Sequence, residues 1–285
     1  MENTEGKKPA KVSSHSTLHW SGMTDVGRFR KKNEDAFLAL TFDSKEVIRL
    51  GKNGQSTLEG HDFVFAVSDG MGGHNAGEFA SRVAVDKIAE LFPRTFQLDA
   101  IGFRRGSSDL LDELFMSIHR EIVYLGQAYE ECAGMGATLS LCWFRPDWMY
   151  FCHIGDSRVY YLPKDGGIKQ VTEDHSHVGW LVRTGKITPM QARFHPARNQ
   201  LNQALSASNG KIDPQHGAIG YEVGDRFLIC SDGLYEGISD RNLEYLIRER
   251  PEHLENLEIA ETLVQESVKE SGKDNTTAVV IEVVE

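Results

Sequence analysis

The 285-residue chain is short of cysteine, with four in all, and no two of them are spaced as CxxC. That excludes a disulfide framework and the usual zinc spacings, and it suits reduced thiols in a cytoplasmic protein. No run of about 18 apolar residues occurs, so no membrane span is expected. Residues 1–17 lack the apolar core a signal peptide needs; they are polar and read as a disordered leader. A basic excess is missing too. The 31 Lys and Arg face 42 Asp and Glu, a formal net charge of −11, which argues against a nucleic-acid partner. Neither a Pro/Ser-rich linker nor an internal repeat breaks the sequence, so 18–285 reads as one domain.

What is present is a chain with 40% hydrophobic residues, enough for a sizeable core. Strands are expected near 18–24, 35–41, 63–67, 137–145, 148–155, 157–162, 226–230 and 276–284. Apolar residues at helical spacing mark 76–92 (Ala80, Val83, Ala84, Ile88, Leu91) and 108–125 (Leu111, Leu114, Phe115, Ile118, Ile122, Leu125). Two more helices are expected near 240–249 and 254–270. The polar, Gly-containing stretch 51–61 reads as a surface loop, and 41–61 as an elaboration without a functional reading.

The segments 137–145 and 148–155 bear most on architecture. They flank a Pro146-Asp147 turn, and pairing Arg145 with Trp148 sorts their side chains onto two faces. Leu139, Leu141, Trp143, Tyr150, Cys152 and Ile154 share one; Thr138, Ser140, Cys142, Phe144, Met149 and Phe151 share the other. Neither face is charged, so both must be covered, by a second sheet on one side and helices on the other. The fold class expected is α+β, a layered sandwich.

Aspartate recurs beside glycine or asparagine at the ends of these strands: Asp69-Gly70, Gly155-Asp156, Asp232-Gly233, Asp274-Asn275 and Asn33-Glu34-Asp35. Any one such pair is an ordinary turn. Five of them, brought to one edge of a sandwich, would make a carboxylate cluster that needs cations to neutralise it. All-oxygen ligands select hard ions, Mg2+ or Mn2+. Two such ions about 3.5–4 Å apart can share a water and aim it at phosphorus.

The ordered motifs resemble those of the metal-dependent protein phosphatases, the type 2C serine/threonine family, in its bacterial form. They are Thr24-Asp25-x-Gly27-x-x-Arg30-x-x-Asn33-Glu34-Asp35, Ser68-Asp69-Gly70-Met71-Gly72-Gly73-His74, Gly136-Ala137-Thr138-Leu139, Gly155-Asp156-Ser157-Arg158, Asp174-His175-Ser176, Cys230-Ser231-Asp232-Gly233-Leu234 and Lys273-Asp274-Asn275-x-Thr277. The resemblance implies two packed antiparallel sheets flanked by helices (a four-layer αββα sandwich) with a flap near 175–212. It implies that the protein removes phosphate from phosphoserine and phosphothreonine in other proteins. Asp69 would bridge two ions, Asp232 and Asp274 would complete one shell, and Glu34 with the Gly70 carbonyl would help the other. Asp35 would orient the attacking water, and Arg30 would clamp the phosphate. Asp156, with Asp232, resembles ligands of a third, weaker ion, and Asp25 takes only a supporting role. Met71 stands where the eukaryotic branch has a histidine, which leaves the general acid open between a water at the ions and His74. A partner serine/threonine kinase, or its targets, is the expectation from the bacterial type.

From His175 to Ile212 there is no Asp or Glu, while Arg183, Lys186, Arg193, Arg198 and Lys211 make the stretch +5. A cationic flap would steer an anionic phosphopeptide; the first four are expected to set protein-substrate affinity. Rival readings fit less well. Cys152 and Arg158 have Cys-x5-Arg spacing, but Cys152 falls within an expected strand and Asp156 would put a carboxylate into the phosphate cradle. Gly179 to Gly185-Lys186 has one residue too many for a P-loop and Ile187 where Ser or Thr is needed. A phosphoprotein-binding module without turnover would be expected to lack metal carboxylates, and here all are present. A metallohydrolase of small phosphate esters would use the same site chemistry.

Overall fold

The computed structural model describes residues 16–43, 45–73, 76–100, 106–207, 210–249 and 258–285, with the backbone alone over 92–100. The expected leader thus lies outside the described residues except for Ser16 and Thr17. In chain order the first seven strands are β1 (Thr17–Asp25), β2 (Asp35–Phe42), β3 (Val47–Arg49), β4 (Asn53–Thr57), β5 (Asp62–Met71), β6 (Gly136–Ala137) and β7 (Leu139–Arg145). The others are β8 (Trp148–Ile154), β9 (Arg158–Leu162), β10 (Lys169–Gln170), β11 (Leu205–Ser206), β12 (Gln215–Gly220), β13 (Arg226–Cys230) and β14 (Thr276–Val284). The helices are α1 (Ala76–Ala100), α2 (Ser107–Ala128), α3 (His177–Arg183), α4 (Pro189–Arg193), α5 (Asp232–Gly237), α6 (Asp240–Glu249) and α7 (Ile259–Glu270). No described helix is long and apolar enough to cross a membrane.

The strands form two sheets, one ordered β10-β9-β13-β14-β1-β4 and one β11-β6-β5-β7-β8-β12, to which β2 and β3 attach through β5. Every pairing is antiparallel. Arg145 does pair with Trp148, and Asp147 takes the left-handed conformation (φ 70°) that lets so short a turn close.

The two faces of that hairpin go where the pattern sends them. Leu139, Leu141, Trp143, Cys152 and Ile154 pack with Ala80, Ala84 and Ile88 of α1 and Leu111, Phe115 and Ile118 of α2. Cys142, Phe144, Met149 and Phe151 face the second sheet and meet Trp20, Phe227, Val279 and Ile281. There Phe144 and Phe227 meet edge to face, with centroids 5.1 Å apart. The far side of the second sheet is covered by Leu243 and Ile247 of α6 and Leu263 and Val264 of α7, over Leu228, Ala278 and Val280. The result is a helix–sheet–sheet–helix sandwich. Each fully buried large apolar side chain in it contributes about 1.5–3 kcal/mol.

The loop expected over 51–61 is in part a strand. β4 adds to the edge of β1, pairing Trp20 with Gly54. Its side chains are polar because the strand covers nothing; its backbone hydrogen bonds hold it. A Cβ at Gly54 would lie 2.4 Å from the Trp20 ring, so the indole lies across this glycine. The expected start of the last long helix, 254–257, lies outside the described residues.

Candidate metal centre

One end of the sandwich collects the acidic strand ends of both sheets. Asp35 stands opposite Asp69 across β2 and β5. The Ser231 amide donates to the Thr277 carbonyl at 3.1 Å, so the end of β13 is tied to the start of β14. That brings Asp232, the first residue of α5, to the segment of Asp274. The end of β8 turns at Gly155 into Asp156, whose carbonyl accepts from Tyr235 of α5 at 3.1 Å.

Asp35 is the best-anchored carboxylate. Its Oδ2 accepts from Ser231 Oγ at 2.7 Å and from Thr277 Oγ1 at 2.6 Å. Thr24 stands 2.7 Å from Thr277 Oγ1, and Asn33 Nδ2 donates to Thr24 at 2.8 Å. The other oxygen, Oδ1, is buried with no partner, as is Oδ1 of Asp232. Two orphaned carboxylate oxygens in one site are costly unless something cationic or a proton meets them.

The electrostatics say the same. Burial pushes Asp35 up to about 6, against the pull of its two hydroxyl donors. Burial and the neighbouring Asp174 push Asp156 up to about 7, against Arg158. Asp69 and Asp232 are raised well above the usual carboxylate range, first by desolvation and then by the other carboxylates of the site. Both keep some solvent access, which gives a small cation a way in. Glu34 is raised by burial, with Arg30 opposing.

Glycine shapes the second half of the site. A Cβ on Gly70 would lie 1.9 Å from the Gly77 carbonyl, and one on Gly77 would lie 2.6 Å from Glu34 Oε1. The Gly70 carbonyl, the Glu34 carboxylate and the first turn of α1 therefore lie in direct contact, and the Gly70 amide donates to the Glu34 carbonyl at 3.1 Å. These groups, with Asp69, Asp232 and Asp274, form an all-oxygen donor set that fits hard divalent ions.

Arg30 lies at the rim, half exposed, with Nη2 2.7 Å from Asp274 Oδ2 and Nη1 3.9 Å from Glu34. The Asp274 hydrogen bond raises its pKa further. Asp25 accepts from the Gly27 amide at 2.7 Å and so shapes the loop that carries Arg30. His74 lies outside the described residues. Cys152 is buried, with its thiol raised mainly by burial, which is the opposite of a nucleophile's requirement.

Three of the flap arginines tie the flap to its surroundings. Arg183 contacts Glu173 at 3.0 Å and the Asp174 carbonyl at 2.9 Å. Arg193 donates to the Ile238 carbonyl at 3.1 Å, and Arg198 pairs with Glu236 at 3.2 Å. Lys186 sits 3.9 Å above the Trp180 ring. Several working parts had no role in the sequence reading. Ser231 and Thr277 hold Asp35; Thr138 Oγ1 accepts from the Asp69 amide at 3.0 Å; Arg158 forks onto Asp174 at 2.9 and 2.7 Å and lies 3.5 Å over Tyr235. All of these but Tyr235 stand inside the motifs quoted above, which give their positions but not their partners.

Known proteins resemble this chain along nearly its whole length. The family model described as Protein phosphatase 2C matches residues 53–269. The serine/threonine phosphatase stp of Listeria innocua is 29% identical over 265 residues, covering 93% of this chain and 96% of that protein. The serine/threonine protein phosphatase PstP of Mycobacterium tuberculosis is 34% identical over 274 residues, 94% of this chain but only 45% of the longer relative. Among solved structures, the catalytic domain of PstP in complex with two manganese ions superposes with a TM-score of 0.72 at 29% identity, covering 95% of this chain and all of that one.

Proposed function

Because the chain belongs to the protein phosphatase 2C family, we propose that it hydrolyses phosphoserine and phosphothreonine in other proteins, using two Mn2+ or Mg2+ ions. The observation that carries this reading is the set of desolvated carboxylates from both sheets at one end of the sandwich, two of them with an orphaned oxygen. Relatives named as serine/threonine phosphatases over nearly the same length support it. In this reading Asp69, Asp232 and Asp274 would hold one ion, and Asp69 with Glu34 and the Gly70 carbonyl would hold the other. Asp156 with Asp232 is the candidate for a third. When bound, the ions would supply positive charge against the phosphoryl oxygens and lower the pKa of a water so that hydroxide is available to attack phosphorus. Asp35, fixed through Oδ2, would use Oδ1 to orient that water. Arg30 binds the phosphoryl oxygens with its planar pair of donors.

The substrates are phosphoproteins, and a serine/threonine kinase or its targets are the partners we propose, in the cytoplasm. Arg183, Lys186, Arg193 and Arg198 are proposed to favour a protein substrate, the three arginines by fixing the flap and Lys186 more directly. Replacing all four should raise KM for a phosphoprotein more than for a small aryl phosphate; an equal rise would remove the flap from recognition. The reading as a whole is tested by comparing phosphothreonine, phosphotyrosine and aryl phosphate substrates in Mn2+ and in EDTA. Metal-dependent preference for the phosphothreonine peptide is expected. Turnover of the aryl ester alone would recast the protein as a small-ester hydrolase.

A further inference from the structure

The loop between β1 and β2 carries Arg30 together with Arg28, Lys31 and Lys32. Arg28 belongs to no part of the site, yet its three hydrogen bonds among the described residues go to one short stretch. Its amide donates to the Gly272 carbonyl at 2.7 Å. Its Nη2 donates to the Lys269 carbonyl at 3.2 Å and the Ser271 carbonyl at 2.7 Å. These carbonyls lie at the C-terminus of α7, where the last turn has no intrahelical donors and partial negative charge collects. A guanidinium answers both needs, and its fixed fork can serve two carbonyls at once, which an ammonium does less well.

The loop also lies directly on the segment it is tied to. Gly27 has φ 77°, and a Cβ there would lie 2.4 Å from the Asp274 carbonyl. At the other end Asn275 Nδ2 donates to the carbonyls of Val26 and Lys32, both at 2.9 Å, while its Oδ1 accepts from the Glu34 amide at 2.8 Å. Arg30 sits between these two attachments, with its guanidinium 2.7 Å from Asp274.

We infer that Arg28 is a positioning residue: by capping α7 it holds the 26–33 loop so that the Arg30 guanidinium stays over the site. This rests on the proposal that Arg30 binds the substrate phosphoryl group. Without the cap the loop must be ordered when substrate binds, which weakens binding and leaves the chemical step alone.

Two readouts test it. Hydrogen exchange of metal-free protein should be faster over 26–34 in Arg28→Ala than in wild type, with β14 unchanged. With a phosphothreonine peptide and Mn2+, Arg28→Ala should raise KM about three- to tenfold, as for one or two lost hydrogen bonds, with kcat within about twofold. Arg28→Lys should recover part of the loss. In an Arg30→Ala background, Arg28→Ala should add nothing further to KM. Unchanged exchange over 26–34, or KM effects of the two substitutions that multiply, would overturn the inference. If exchange rises but Arg30→Ala alone leaves KM unchanged, the cap stands and it is the role of Arg30 that fails.

Discussion

Asp35 and Asp69 face each other across β2 and β5, and neither makes an ion pair among the described residues. Asp35 is held by two hydroxyls and raised by burial; Asp69 is raised by desolvation and then by Asp35 before any other carboxylate. The sheet register therefore forces together two acids that repel, and the fold tolerates this only while protons or ions neutralise the site.

That predicts how metal-free protein responds to pH. Asp156, at about 7, and Asp69 and Asp232, both raised well above the usual carboxylate range, hold protons in the folded state that the unfolded chain has already released near its ordinary carboxylate pKa of about 4. Their stabilisation is complete below that value and is lost as pH rises through the folded pKa values. His153, lowered to about 3 by burial, acts with the opposite sign, losing stability as pH falls below about 6.5. Between pH 6.5 and 8 the carboxylates dominate. In EDTA, Tm should fall over that window, with a shallower fall for Asp156→Asn and for wild type in Mn2+. A Tm in EDTA that stays level or rises would contradict the account.

The hydroxyls on Asp35 should matter to turnover more than to binding. Thr277→Val removes one donor and the link to Thr24, freeing the carboxylate to rotate. kcat should drop roughly 10- to 100-fold, the scale for slightly misplaced catalytic groups, with KM nearly unchanged. Steady-state kinetics on a phosphothreonine peptide decide it; a rise in KM at constant kcat would mean that Thr277 serves substrate binding.

Gly70 should tolerate no side chain. A Cβ there meets the Gly77 carbonyl at 1.9 Å, backbone against backbone, whereas at Gly73 it meets nothing within 4 Å. Gly70→Ala should cost upwards of about 2 kcal/mol, and Gly73→Ala less than about 1 kcal/mol. Denaturant titration of both in EDTA separates packing from metal binding. Equal costs would show that the contact at Gly70 relaxes easily.

The hairpin over 137–155 was legible in full because strict alternation and one tight turn leave a single register, and both uncharged faces had to be covered. The carboxylates were legible as well, since aspartate beside glycine after an apolar run names both strand end and turn. β4 was not, because an edge strand that buries nothing has no apolar period to betray it. Nor were the hydroxyls that hold Asp35: Ser231 and Thr277 act across 196 and 242 residues of sequence. The flap shows a further limit. Composition revealed five cations and no acid between 175 and 212, but the partners of Arg183 and Arg198, Glu173 and Glu236, lie outside that window.

The central claim is that paired divalent ions at the Asp69–Asp232–Asp274 carboxylates carry the reaction. The most direct measurement is turnover of a phosphothreonine peptide as Mn2+ is titrated into EDTA-stripped wild type and Asp232→Asn. The account predicts saturable activation of the wild type and loss of at least about 100-fold in the variant, the scale of a principal electrostatic contribution to catalysis. Turnover that persists in EDTA, or an Asp232→Asn enzyme activated like the wild type, would contradict it.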